Sequence, residues 1–177
     1  AASDVYKRQR QYLASETENI DEMNKLIEWL PNNIPNDDET SIVHGDYRLD
    51  NMIYSNFDVV GVLDWELSTL GHPIADFCYH CLTWRTLPNF HDQRKLKDLG
   101  IPNEMEYREM YSEHTGKDLS KDWEFYMVYS LFKVAAICQG ILGRVRDGTA
   151  ASKHAEERGM NVFPLSKGAW SIVESNF

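Results

Sequence analysis

The sequence has no surplus of positive charge, few cysteines, and no apolar run that is both long and free of charged residues. Its 177 residues carry a formal net charge of −10. A protein that neutralises nucleic-acid phosphates needs a basic stripe, so this balance argues against a nucleic-acid partner. It does not exclude small phosphorylated ligands, which a metal and a few local cations can hold. Cys78, Cys81 and Cys138 are too few for a disulfide framework, so a reducing compartment is expected, the cytoplasm or a eukaryotic organelle matrix. No basic region followed by an apolar run marks a secretion signal at the N-terminus. Only residues 123–142 reach the length of a bilayer span, and they contain Glu124, Lys133 and Gln139. A lysine near the centre of a span costs about 3 kcal/mol on insertion scales, so the stretch reads as a core helix and no membrane partner is expected. Internal repeats and low-complexity segments are also missing.

What is there is the composition of a soluble globular domain, 42% apolar and 26% charged. Residues 9–30 read as helix in two pieces, with Ile20, Met23, Ile27 and Leu30 at helical spacing and Asn19/Glu22 as a capping box. Pro31 and Pro35 should stop it and open a polar linker over residues 32–40. The period then changes. Ser41-Ile42-Val43-His44 reads as a short strand, and residues 59–63 as a second that pairs with Met52-Ile53-Tyr54 across a turn at residues 56–58. Everything beyond reads as helical: residues 74–84 after His72-Pro73, a helix opened by Asn103 and Glu106 and closed near Gly116, a long apolar helix capped by Ser120 and running to about Arg146, and a last one over residues 165–175. The expected fold class is α+β, a small sheet on a helical body.

The chemistry concentrates in His44-Gly45-Asp46-Tyr47-Arg48-Leu49-Asp50-Asn51. A strand leads into a glycine, a carboxylate, a four-residue spacer and an amide. This is the spacing of the protein-kinase catalytic loop, with glycine where that loop has arginine. Phosphoryl transfer from a nucleotide needs a carboxylate for the proton of the attacking hydroxyl, and hard oxygen ligands that hold Mg²⁺ against the phosphates. Asp46 suits the first task. Asn51 and Asp64, which follows the apolar strand Val59-Val60-Gly61-Val62-Leu63, suit the second. ATP and Mg²⁺ are the expected cofactors. Glu66, two residues on and taken to share a strand face with Asp64, is a further candidate ligand. His44 is expected to orient the loop and not to transfer protons. Arg48 and Asp50 could touch the acceptor or a phosphate, or form a mutual or surface ion pair, and Arg144, with Arg146 and Lys153, could meet an anionic acceptor. Cys78, His80 and Cys81 lack a second pair at zinc-finger spacing, so they read as core rather than as a zinc site.

These residues resemble the aminoglycoside phosphotransferase and choline kinase-like family. The longer stretches, from His44 to Asn51 and Leu63-Asp64-Trp65-Glu66-Leu67-Ser68-Thr69-Leu70-Gly71-His72-Pro73-Ile74-Ala75-Asp76-Phe77, look like the branch associated with acyl-CoA dehydrogenases. Gln139-Gly140-Ile141 and Gly148-Thr149-Ala150 extend the resemblance over about residues 9–175. It implies a two-lobed protein-kinase-like fold, a hydroxyacyl-CoA-type acceptor, and a dehydrogenase domain as a partner. It also implies that Asp76 holds the backbone amides of the catalytic loop. Two alternatives stand beside it. One is an aminoglycoside, choline or sugar kinase of the same family; the other is a non-catalytic lobe that docks on a dehydrogenase. No glycine-rich loop or strand-borne lysine precedes Asp46. Residues 9–177 are therefore expected to be a C-terminal lobe that binds nucleotide poorly and is inactive alone, and residues 1–8 a non-native or disordered extension.

Overall fold

A computed structural model describes residues 2–36, 39–86 and 92–177. In chain order the elements are α1 (Ala2–Ser15), α2 (Asp21–Asn32), β1 (Ser41–Val43), β2 (Met52–Ser55), β3 (Asp58–Val62), β4 (Thr69–Gly71), α3 (Pro73–Thr86), α4 (Gln93–Asp98), α5 (Glu104–Thr115), α6 (Trp123–Arg146), α7 (Ala155–Gly159) and α8 (Val162–Asn176). The chain divides into two compact units. One comprises Ala1–Asn36 with Glu124–Phe177, the other Asp37–Trp123.

The first unit is helical, and its stripes follow the 3.6-residue period. Val5, Gln9 and Tyr12 are the buried positions of α1, and Met23, Leu26 and Leu30 those of α2. Residues 2–8, expected as a non-native or disordered extension, form the opening turns of α1, with Val5 fully buried. In α6, Tyr126, Met127, Val128, Phe132, Ala135 and Ala136 are buried on several faces of one helix. That helix is long and apolar enough to cross a membrane, yet most of its apolar stretch is covered by protein. Gln139, fully buried on it, donates to the Ser15 carbonyl (2.7 Å) and the Thr17 hydroxyl (3.0 Å). It thereby satisfies a carbonyl that the end of α1 leaves without an intrahelical partner.

Three expected boundaries are corrected. Asn19 and Glu22 do not form a capping box: Ile20 is the N-cap residue and makes no side-chain cap. The Asn19 amide group is instead used by Asp21 and Asn24. Pro31 does not end α2, which runs one residue further to Asn32. Ser120 does not cap α6, which begins at Trp123; the Ser120 N–H is taken by the Asp118 carboxylate (2.8 Å).

The second unit contains all the strands among the described residues. β2 and β3 form the expected hairpin, Met52 opposite Val62 and Ser55 opposite Asp58, with an irregularity between Ile53 and Tyr54. Its two-residue turn, Asn56-Phe57, has φ of 49° and 69°. Two positive values match the right-handed twist of a hairpin, although a bulky residue such as Phe57 adopts them only under strain. β1 pairs antiparallel with β4, with Ile42 opposite Leu70. The three-residue β4 and the short α4 and α7 carry too little periodicity to be read from sequence. α5 has the anticipated start and stop. The Asn103 and Glu106 side chains cap each other's backbones, and Gly116 ends the helix at φ 70°.

Candidate active site

The segment between β1 and β2 is irregular, so its shape must come from specific hydrogen bonds. α3 supplies the first pair. The two carboxylate oxygens of Asp76 accept the backbone N–H groups of His44 and Gly45, each at 2.8 Å. Hydrogen bonds to a charged group are worth about 1.5–3 kcal/mol each, enough to fix a loop that has no ladder of its own. Gly45 sits at φ 83°, and a Cβ there would lie 2.7 Å from the Leu67 carbonyl oxygen. Any other residue would meet both backbone strain and a collision.

His44 is 4% exposed, and both its ring nitrogens are used. A carbonyl can only accept, so Nε2–H donates to the Leu63 oxygen (2.8 Å), while Nδ1 accepts the Asp46 N–H (3.3 Å). The Trp65 ring lies against the imidazole at 4.8 Å between centroids. Both ring nitrogens of His44 are therefore committed within the loop and its neighbouring peptide. The Leu63 N–H, in turn, donates to the Asn51 carbonyl (2.8 Å). The peptide leading into Asp64 is therefore clamped from two points of the loop.

Asp46, with 15% of its side chain exposed, is the centre of the arrangement. Its Oδ2 accepts from Asn51 Nδ2 (3.1 Å) and faces Arg48 Nε at 3.3 Å. Asn51 Nδ2 also donates to the Asp46 carbonyl (2.9 Å). Both amide hydrogens of Asn51 are thus engaged, which leaves its Oδ1 as the atom that can meet a cation. Arg48 pairs with Asp46 and not with Asp50, which is exposed in the 3₁₀ turn Leu49–Asn51.

Asp64 follows β3 in the left-handed region (φ 64°, ψ 52°) and is exposed. A non-glycine residue held there costs about 1–3 kcal/mol and persists only where its surroundings impose it. This turn overturns the expectation that Glu66 shares a strand face with Asp64. Trp65–Leu67 is a 3₁₀ turn, so strand alternation does not apply, and Glu66 is an exposed residue of that turn. Arg144 is exposed in the last turn of α6, in the other unit. Arg146 is engaged by Asp147 and the Glu16 carbonyl. Among the described residues, no group of three or more His, Cys, Asp or Glu gathers in metal-binding geometry. Cys78 and Cys81 are buried in α3, and burial pushes the Cys81 thiol well up, so it is an inert core residue.

Two residues of this unit carry polar contacts that sequence reasoning did not assign. His80 Nδ1 lies 2.9 Å from the Tyr47 carbonyl, and the Tyr107 hydroxyl lies 3.2 Å from His80 Nε2. The available signal was spacing. His80 follows Asp76 by four residues on α3, so the two share one helix face.

Comparison with known proteins places these residues in a lineage. The profile of the family described as "Phosphotransferase enzyme family" matches residues 1–127. Acyl-CoA dehydrogenase family member 10 of Mus musculus is 43% identical over 171 residues, covering 93% of this chain and 16% of its own length. Acyl-CoA dehydrogenase family member 11 of Homo sapiens is 34% identical over 95% of this chain and 22% of its own. The crystal structure of a "putative aminoglycoside phosphotransferase" from Ralstonia eutropha superposes with a TM-score of 0.89 at 45% identity, over 97% of this chain and 54% of that one. The chain therefore spans about half of that solved relative and about a fifth of these curated ones.

Proposed function

This chain belongs to the phosphotransferase enzyme family, and we propose that it carries the catalytic loop of a kinase that transfers the γ-phosphoryl group of ATP to a small-molecule hydroxyl. The observation that carries the reading is the pinned Asp46 carboxylate, bonded through one oxygen to Asn51 and faced by Arg48. Among the described contacts its other oxygen is uncommitted, and a substrate hydroxyl can meet it there.

In this reading Asp46 accepts the hydroxyl proton as the acceptor oxygen bonds to the γ-phosphorus and the bond to the bridging oxygen breaks, with ADP leaving. Asp76 and His44 hold the loop so that this geometry exists before substrate arrives. The donor set fits Mg²⁺: the Asn51 carbonyl oxygen and the Asp64 carboxylate are hard ligands, few in number, on segments tied together through Leu63. Bound there, the ion would neutralise charge on the phosphates. Glu66, exposed in the turn after Asp64, is a further ligand for a second Mg²⁺, directly or through water.

The proposed acceptor is a hydroxyacyl-CoA. Its support is the likeness, over more than nine-tenths of this chain, to proteins named acyl-CoA dehydrogenase family members. By the same likeness, a dehydrogenase domain is the proposed partner. Because this chain spans about half of the solved relative, we place the assay in a chain extended by the N-terminal lobe that the resemblance to kinase-like folds implies. ATP consumption is measured with hydroxyacyl-CoA, choline and aminoglycoside acceptors. Turnover with the first, lost by about 10²–10⁴-fold in Asp46→Asn, is the expected result. Preference for a cationic acceptor would replace the acceptor assignment alone. Turnover of none, with Asp46→Asn silent, would leave a non-catalytic lobe.

A further inference from the structure

α3 presents two consecutive turns to the catalytic loop, and only the first has been given a role. Asp76 takes the amides of His44 and Gly45, just before Asp46. One turn later on the same face, His80 reaches the Tyr47 carbonyl, just after Asp46. We propose that His80, set in one tautomer by Tyr107, is a positioning residue that fixes the distal side of the catalytic loop and so aims the Asp46 carboxylate.

The tautomer follows from the partners. The Tyr47 carbonyl can only accept, so His80 Nδ1 carries a proton. Nε2 is then the bare nitrogen, and the Tyr107 hydroxyl donates to it. Burial pushes the Tyr107 hydroxyl up to about 12, so this donor keeps its proton throughout the neutral range. The geometry is reinforced by packing. The Tyr107 ring stacks on Trp84 at 5.0 Å and lies 5.4 Å from Phe77. Trp84 is itself anchored by its indole N–H to the Pro102 carbonyl (3.0 Å). The Tyr47 ring meets the His80 ring edge-on at 5.6 Å. A hydrogen bond from α3 on either side of Asp46 limits the swing of a segment whose own order is the 3₁₀ turn Leu49–Asn51 and the Asn51 bonds to Asp46, and the Tyr47 carbonyl between them is held by His80. Deprived of that second tie, Arg48 and Asn51, the two partners of Asp46, would lose their register with it.

The inference rests on Asp46 being the reacting carboxylate, but its structural half is testable without turnover. Nitrogen-15 spectra of histidine in this chain should show His80 protonated at Nδ1 and bare at Nε2; the opposite tautomer overturns the proposal. Amide exchange in His80→Ala should accelerate at least ~10-fold at Asp46 and at Asn51, whose N–H bonds the Arg48 carbonyl, while the His44 and Gly45 amides held by Asp76 keep their rates. A uniform rise at all four reduces His80 to ordinary packing and also overturns it. If that variant does not fold, Tyr107→Phe, which removes one hydroxyl, must shift the His80 tautomer balance. In the extended, active protein, His80→Ala should lower kcat ~10- to 100-fold with KM for ATP unchanged. His80→Asn, whose side-chain N–H can still reach the Tyr47 carbonyl, should recover most of it. Unchanged kcat in His80→Ala, with Asp46→Asn inactive, sinks the positioning role while sparing the catalytic one. Full activity in Asp46→Asn does the reverse, and the exchange pattern then decides His80 alone.

Discussion

The two units are held by different forces. In the helical unit, order comes from apolar burial: Met23, Leu26, Leu30, Met127, Val128 and Phe132 are fully buried, and few polar contacts are needed to explain their positions. In the strand-bearing unit, the segment that matters is held by side-chain hydrogen bonds, most of them between residues distant in sequence. Asp76, His44, Asn51 and His80 each grip backbone of the loop or of the strand beside it. Burial is tolerant of chemistry as long as volume is kept, whereas a hydrogen-bonded loop is intolerant of chemistry at constant volume. Damage to the first unit should therefore appear as lost stability, and damage to the loop mainly as lost function.

Phe132→Ala gives the largest expected loss of stability, about 3–5 kcal/mol, because it empties a fully buried site. Urea denaturation followed by circular dichroism measures it; a loss under 1 kcal/mol would mean the helical core is not what orders that unit. Asp76→Ala comes next. It leaves two part-buried amides without an acceptor, at about 2–4 kcal/mol in all, and should abolish phosphoryl transfer. Asp76→Asn, which matches its volume, should still lose most activity, and full activity there would erase the contrast drawn above. Gly45→Ala should cost about 1–3 kcal/mol through positive φ and the Leu67 carbonyl, with a larger effect on kcat than on melting temperature. Asn103→Ala is the smallest. Loss of a helix cap at α5 should cost about 1 kcal/mol and leave turnover untouched.

How far the sequence could be read follows from the same contrast. The hairpin and the helical stripes repeat every two or 3.6 residues, and both were legible. Capping signals were legible only in part. Asn103 with Glu106 made the box that the spacing promised, whereas the identical spacing at Asn19 did not, because Asn24 and Asp21 compete for the Asn19 side chain. Asp46, Asn51 and Asp64 were singled out by motif, and Asp76, whose carboxylate does accept the His44 and Gly45 amides, by resemblance. The left-handed turn at Asp64 was not foreseeable from an apolar strand running into an acid, and it is what removed Glu66 from the strand face. His80 escaped for a different reason. Beside two cysteines it invites a metal reading, and with its partners 33 and 27 residues away, its spacing from Asp76 on α3 was the one local hint.

The β2–β3 hairpin has one more consequence. It is a ribbon of two strands whose residues Ile53, Val60 and Phe57 are 45%, 62% and 103% exposed. Among the described residues no further strand pairs with either outer edge, and such edges offer backbone groups to any strand that arrives. In a purified sample of this chain, concentration rather than temperature will set the working limit. Light scattering should rise with protein concentration well below the melting point, and a lysine placed at Val60 should postpone it.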